Sequence, residues 1–410
     1  MGYTKQAFKG ISWMSGSRFV ARALSFIKIF ILARFLTPMQ FGLFGIASLL
    51  LSLLETLTET GINIVLIQTK ADLKEYINAA WVVSIIRGVL ISLLIIILTP
   101  FIALFFRTPD SVGILLFISL VPFVRGFINP SEVKFQKELN FNLQFWFTSG
   151  LYIIDAAASV TFVFLTHSVF SIVWGMLISA FFEVILSLIF IKPRPRFVIE
   201  KGYFKEILHK GIWVTGYTMF NYFAENLDNV VVGRLLGAAN LGLYQMAYKI
   251  SILPLTEVSD VVSSVAFPVY TKITHDTDRL KKAFLKTTVL VFLGSAILGV
   301  VIFFFPEQII RIFLGKQWLP IIPVLKVLII YGVLRTISGP VSALFLSLNK
   351  QKYVSETVFV RFLALAIGIV PLVHMFGLIG AGYTQVISVI VELPLMLFFI
   401  IHIFKKHTKK

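Results

Sequence analysis

The chain has 410 residues, of which 58% are hydrophobic and only 14% charged, with a mean hydropathy of +0.90 and a formal net charge of +17. A soluble domain carries about 25% charged residues, so the composition excludes one, and the positive charge is read against a bilayer rather than against nucleic acid. Cysteine is absent, which removes disulfides and thiolate metal sites.

A spanning helix needs roughly 20 apolar residues. In chain order, apolar segments lie at about 11–34, 41–67, 77–106, 111–130, 143–166 and 169–191. A basic, proline-containing stretch at 192–206 follows. Six more segments lie at about 207–233, 241–270, 284–305, 319–347, 357–375 and 378–404. The opening MGYTKQAFKG leads into a long apolar segment with no small-residue cleavage site, so the first helix is expected to stay in the membrane. Pro122, Pro254, Pro340, Pro371 and Pro394 fall inside these segments and are expected to kink them.

The loops set an orientation. With the N-terminus in the cytoplasm, 22 of the 37 Lys and Arg residues fall in inner loops. Five fall in outer ones: Arg34, Arg107, Arg234, Arg311 and Lys316. That asymmetry supports an even helix count with both termini cytoplasmic. The inner basic linker and tail are expected to lie against anionic lipid.

The chain also repeats itself at an offset of 200 residues. ARFLTPMQFGLFGIA at 33–47 aligns with GRLLGAANLGLYQMA at 233–247, and Trp13 and Gly16 align with Trp213 and Gly216. Repeated halves are common in transporters. The expected fold is therefore an all-α integral membrane protein of about twelve transmembrane helices. They form two six-helix lobes, 1–200 and 201–410, related by a pseudo-two-fold axis along the membrane normal.

A charge at bilayer depth faces a cavity or a partner. The first helix carries Arg18 and Arg22 one turn apart, with Ser15 and Ser25 on the same stripe and Lys28 beyond. The second carries Ser48, Ser52, Glu55, Glu59 and Asn63, and further in come Arg87, Arg125, Asp155 and Glu183. The second half reverses the sign with Asn221, Glu225 and Asp228, followed by Lys249. Later come Lys326, Arg335, Arg361, Gln385 and Glu392. One reading places Arg18, Arg22, Lys28, Arg87 and Lys249 on a wet cavity between the lobes, binding an anionic head group. The other makes the same residues internal ion pairs, with Glu55 and Glu59 as partners of the arginines. Arg18 and Glu392 have a third option, lying shallow with the charge snorkelling to water. Asn221, Glu225 and Asp228 are either a Na⁺ or H⁺ coupling site or salt-bridge partners of a base such as Lys249.

The stretch at 9–47 resembles the start of Wzx-type polysaccharide flippases of the MOP superfamily, which also holds the lipid II flippases and the MATE exporters. The ARxLxPxxFG pattern is carried by Ala33, Arg34, Leu36, Pro38, Phe41 and Gly42, and is followed by ETLTETGINIVLIQ at 55–68. The resemblance implies a polyprenyl-diphosphate-linked oligosaccharide moved from the inner to the outer leaflet by rocking of two lobes. It implies first-helix arginines, here Arg18 and Arg22, that hold the diphosphate, and cation coupling through acidic residues of the second lobe, here Glu225 and Asp228. Two helices of the lipid II branch have no counterpart here, which argues against a peptidoglycan precursor. The implied partners are membrane lipids, the lipid-linked glycan and a polysaccharide polymerase or glycosyltransferases, around a monomer without cofactor. The alternative on the same fold is a cation-coupled exporter of small molecules, against which the cationic first-helix stripe argues. No nucleotide-phosphate loop and no large loop for a sugar-transferring enzyme occur, and a transporter rather than an enzyme is expected.

Overall fold

A computed structural model describes the backbone of residues 3–59, 66, 73–198 and 201–407; within these ranges the side chains of 3–12, 14–15, 73–75, 201–217 and 406–407 are not described. Ser15, Asn63, most of the 55–68 motif and the repeat partners Trp213 and Gly216 lie outside the described residues or side chains. Among the described residues there is no strand.

The chain divides into two compact units, Met1–Glu225 and Asn226–Lys410, the division falling inside a long helix. The first unit contains α1 (Tyr3–Phe35), α2 (Pro38–Leu57), α3 (Leu73–Phe106), the short α4 (Ser111–Ile118), α5 (Leu120–Arg125) and α6 (Lys134–Lys137), then α7 (Phe141–Thr166) and α8 (Phe170–Phe190). A 3₁₀ turn, Pro130–Val133, precedes α6. The helix α9 (Lys201–Ser251) crosses from one unit to the other. The second unit continues with α10 (Leu253–Lys272), α11 (Thr277–Phe304), α12 (Pro306–Phe313), α13 (Ile322–Arg335), α14 (Ser338–Ser347) and α15 (Gln351–His407).

Among the described residues seven helices are long and apolar enough to cross a membrane, and up to nine if two bent pairs are each one span. One of the seven, Gln351–Lys405, has 55 residues. As a helix it would run about 82 Å, far beyond a hydrocarbon core of about 30 Å. It is two crossings joined at Gly377, whose φ of +59° is open to glycine and costly for other residues. α9 is likewise broken at Gly237, with φ +83°. With these halves and the charged helix α1, the described residues account for about twelve crossings. The spans leave large apolar side chains bare, with Leu104 on α3 and Ile367 on α15 exposed by 78% and 75%. Only lipid can cover such a surface: this is a multi-pass membrane protein.

The repeat is visible in how each half turns its first corner. Between α1 and α2, Thr37 forms a capping box with Gln40, and Pro38 opens α2. At the equivalent position of the second half stands Gly237, and Asn240, aligned with Gln40, donates from Nδ2 to the Leu236 carbonyl at 2.9 Å. One break is made with side chains and the other with backbone freedom.

Several segments differ from expectation, two of them for reasons the side chains give. α2 ends at Leu57, short of the expected 67. Thr58 Oγ1 donates to the Leu54 carbonyl at 2.6 Å and Thr56 Oγ1 to that of Ser52 at 2.7 Å, and such hydroxyls compete with the helix ladder. The segment expected over 241–270 is two helices bent by 42°. Pro254 at the start of α10 has no N–H to continue the ladder.

Small residues let neighbouring helices close in. Ser259 Oγ of α10 donates to the Thr336 carbonyl at 2.7 Å, and Gly339 of α14 lies against Ser259 and Ser263. In the first unit, a methyl group on Gly175 of α8 would stand 1.9 Å from Ser159 Oγ and 2.6 Å from the Asp155 carbonyl of α7. Gly175→Ala is therefore expected to lose about 1–3 kcal/mol by overpacking and to lower the thermal midpoint in detergent. Gly150→Ala on α7, where nothing lies within 4 Å, is the matched control. Equal midpoints for the two variants would show that the α7–α8 contact is looser than described.

Candidate functional site

α1 packs on α7 through Trp13 against Phe145 (5.2 Å between ring centroids) and Phe35 against Phe164 (4.6 Å). At about 100° per residue, Arg18 and Arg22 fall on roughly the opposite side of α1, and both are exposed. The single stripe expected from Arg18 to Lys28 divides. Each step of three residues falls short of a full turn, so the steps through Ser25 carry Lys28 about 120° round from Arg22. There its Nζ is ion-paired with Asp155 Oδ2 of α7. Lys28 ties α1 to α7, whereas Arg18 and Arg22 present guanidinium groups at the unit's surface.

Arg87 of α3 also has a local role. Its Nη2 donates to the Glu55 carbonyl at 2.7 Å and its Nε to Thr58 Oγ1 at 3.2 Å. It thereby caps the C-terminus of α2, where carbonyls are left over and the helix dipole is negative. The Glu55 carboxylate lies 3.6 Å from Arg125 Nη1, so Arg125 is its near partner within this unit. Glu59 is half-buried, and both carboxylates act on the charge of Arg87. Tyr222 Oη donates to the Leu49 carbonyl at 2.7 Å, joining the part of α9 before Gly237 to α2.

The acidic trio of α9 is not a single cluster. Asn221 is half-buried and Glu225 exposed, while Asp228 is 1% exposed. Asp228 Oδ2 accepts from Tyr244 Oη at 2.7 Å and from Gln385 Nε2 of α15 at 2.6 Å. Its Oδ1 accepts from the Asn229 backbone N–H at 2.8 Å and Nδ2 at 3.0 Å. All of these donors are neutral. Lys249 is half-buried, 21 positions further along α9 and beyond the break at Gly237. Tyr244 did not stand out in the sequence, because it meets Asp228 only through the break at Gly237.

Glu392 does not lie shallow. It is fully buried in the second half of α15, with Oε2 3.5 Å from Nη1 of Arg361, itself only 7% exposed, in the first half. At that length charge rather than a good hydrogen bond holds the pair. Arg335 of α13 adds to the same field, and Lys326 of α13 sits over the Phe303 ring at 5.2 Å. Among the described residues no group of three or more His, Cys, Asp or Glu could hold a metal ion.

Comparison with known proteins adds the context. A family described as polysaccharide biosynthesis protein matches residues 31–323. The lipopolysaccharide biosynthesis protein WzxC of Escherichia coli is 24% identical over 85% of this chain and 71% of its own length. The teichuronic acid biosynthesis protein TuaB of Bacillus subtilis is 22% identical over 84% of this chain and 72% of its own. Among solved structures, the lipid II flippase MurJ in an inward closed conformation superposes with a TM-score of 0.76 at 17% identity, covering 97% of this chain and 90% of MurJ. An inward-facing MATE transporter of the MOP superfamily gives 0.69 at 15% identity, over 94% and 96%.

Proposed function

Because the chain belongs to the polysaccharide biosynthesis protein family, we propose that it flips polyprenyl-diphosphate-linked oligosaccharide from the inner to the outer leaflet of the cytoplasmic membrane. The observation that carries this reading is the family match over 31–323, together with relatives named for two different envelope glycans that each align with more than four-fifths of the chain. The fold shared with a lipid II flippase supports it. In this reading both termini are cytoplasmic, the protein acts as a monomer, and its glycan comes from glycosyltransferases and goes to a polymerase.

The chain's own residues divide the work. The exposed Arg18 and Arg22 take the diphosphate, since guanidinium matches phosphate oxygens in pairs. Rocking of the two halves then changes the side to which the head group is open. Binding at the arginines drives such a step only through a difference in affinity between the two states. Asp228 is the candidate for cation coupling. Hard cations choose oxygen ligands; Asp228 and the Tyr244 hydroxyl offer them, as does Gln385 once its amide turns over.

The direct test uses the purified chain in liposomes with a fluorescent polyprenyl-diphosphate oligosaccharide and a reducing agent that cannot cross the bilayer. The fraction of label open to reduction is expected to rise with protein. No gain over protein-free liposomes rejects the flippase reading, and export of an organic cation dye in its place supports the MATE-like alternative, which the weaker fold likeness leaves second. Asp228→Asn is expected to abolish dependence of transport on a Na⁺ or H⁺ gradient, and Glu225→Gln to have little effect. An unchanged gradient response in Asp228→Asn removes the coupling role.

A further inference from the structure

The first unit contains a built cationic recess that the flipping mechanism does not use. The segment after α8 reads Lys192-Pro193-Arg194-Pro195-Arg196, and with Lys134 of α6 these residues line a recess of about 590 Å³. The lining holds four cations and no carboxylate. Lys134 Nζ lies 3.9 Å from Glu138, whose side chain faces solvent.

Basic stretches after membrane helices are common, but this one is held in shape from below. Asn129 and Ser131, both fully buried, secure it. Asn129 Nδ2 shares its hydrogens among the carbonyls of Ser187 (3.2 Å), Ile191 (3.0 Å) and Pro193 (3.3 Å). Ser131 Oγ donates to the Pro193 carbonyl at 2.7 Å, and the Arg196 N–H donates to Asn78 Oδ1 of α3 at 2.7 Å. Arg194 Nη2 donates to the last carbonyls of α8, at Ile189, at 3.1 Å. The alternating prolines fix φ and stiffen the segment further. The three cations of the segment are therefore presented by an ordered backbone, and little ordering is left to a ligand.

The recess lies at the membrane surface. Phe190 at the end of α8 is exposed by 72% and Phe197, just past the recess, by 69%. Trp81, whose Nε1 donates to the Phe127 carbonyl at 3.0 Å, faces Phe197 edge-on at 6.3 Å. Bare aromatic groups beside a cationic hollow match the boundary between head groups and acyl chains, and the loop charges assign this face to the cytoplasm.

We propose that this recess is a binding site for the phosphate head group of an anionic phospholipid of the inner leaflet. The four cations hold the phosphate and the flanking Phe190 and Phe197 lie along the acyl chains. The site is separate from Arg18 and Arg22 and does not depend on the flippase reading.

The test measures lipid retention. The full-length protein in mild detergent is given equal phosphatidylglycerol and phosphatidylcholine of matched chains, and the lipid that stays through size exclusion is quantified by mass spectrometry. The unmodified protein is expected to retain several-fold more phosphatidylglycerol. The variant K192Q/R194Q/R196Q is expected to bring the ratio to about one. The buried Asn129 and Ser131 and the Arg196 backbone N–H still hold the segment, so the variant is expected to lose little of the parent's thermal midpoint. As a control for net charge, K281Q/K282Q/K286Q removes three exposed lysines of α11 and is expected to keep the preference. Equal retention of the two lipids by the unmodified protein, or equal loss in both variants, overturns the site. Displacement of bound phosphatidylglycerol by inorganic phosphate at equal concentration overturns the lipid as its occupant.

Discussion

Replacing Arg18 and Arg22 together by alanine is expected to abolish glycan export in cells lacking the native gene while leaving the protein inserted in the membrane. The expectation rests on how the cations of α1 are used. Lys28 is engaged with Asp155 and helps hold α1 on α7. Arg18 and Arg22 lie on another side of α1 and are exposed. A diphosphate laid across two guanidinium groups one turn apart meets paired donors on both. Lysine in both places keeps the charge but gives up paired recognition, so Arg18→Lys with Arg22→Lys is expected to retain part of the export. Lys28→Met should instead lower thermal stability, because it leaves Asp155 without its counter-charge. Full export by the double alanine variant would remove the diphosphate role from α1. A loss of export matched by a loss of inserted protein would assign the arginines to folding.

The second large effect is expected at Arg361 and Glu392. Removing one member of a buried ion pair strands the other and costs about 3–5 kcal/mol, whereas replacing both by apolar groups of similar volume is close to neutral. Arg361→Met is thus expected to reduce the folded yield in detergent severely, and Arg361→Met with Glu392→Leu to recover most of it. The interaction between the two changes is what matters. A single variant that loses no more than the double one would show that Glu392 bears no charge in the fold. The pair joins the halves of α15 on either side of Gly377, so it restrains a helix whose backbone has one free corner.

How much of this was legible beforehand differs from element to element. The spans follow from hydropathy, and the repeat from Arg34, Gly42 and their partners at a fixed offset; both are properties of one chain read in order. The end of α2 at Leu57 was hidden, because the apolar run continues beyond it and the residues that stop it are threonine hydroxyls and Arg87 from another helix. The site charges were found as a set, but their pairing was not. Lys28 and Asp155 are 127 positions apart and Asp228 and Gln385 are 157 apart. Nothing in a single sequence ties such positions together. The drift of Lys28 away from Arg22 was calculable from helix geometry alone, and a helical wheel would have exposed it.

The helix ends carry a further meaning for the distribution of basic residues. Five arginines and lysines fall on the side that the loop charges assign to the exterior. Arg34 is in the last turn of α1 and Arg311 in that of α12. Arg234 comes just before the break at Gly237, and Arg107 directly follows α3. Arg311 is paired with Glu307 at 2.6 Å, and the other three stand near helix ends where unbonded carbonyls leave a negative pole, so these four have a local electrostatic reason for their place. Only Lys316 lacks that reason, so helix ends can place positive charge on a membrane face independently of the bias that sets orientation.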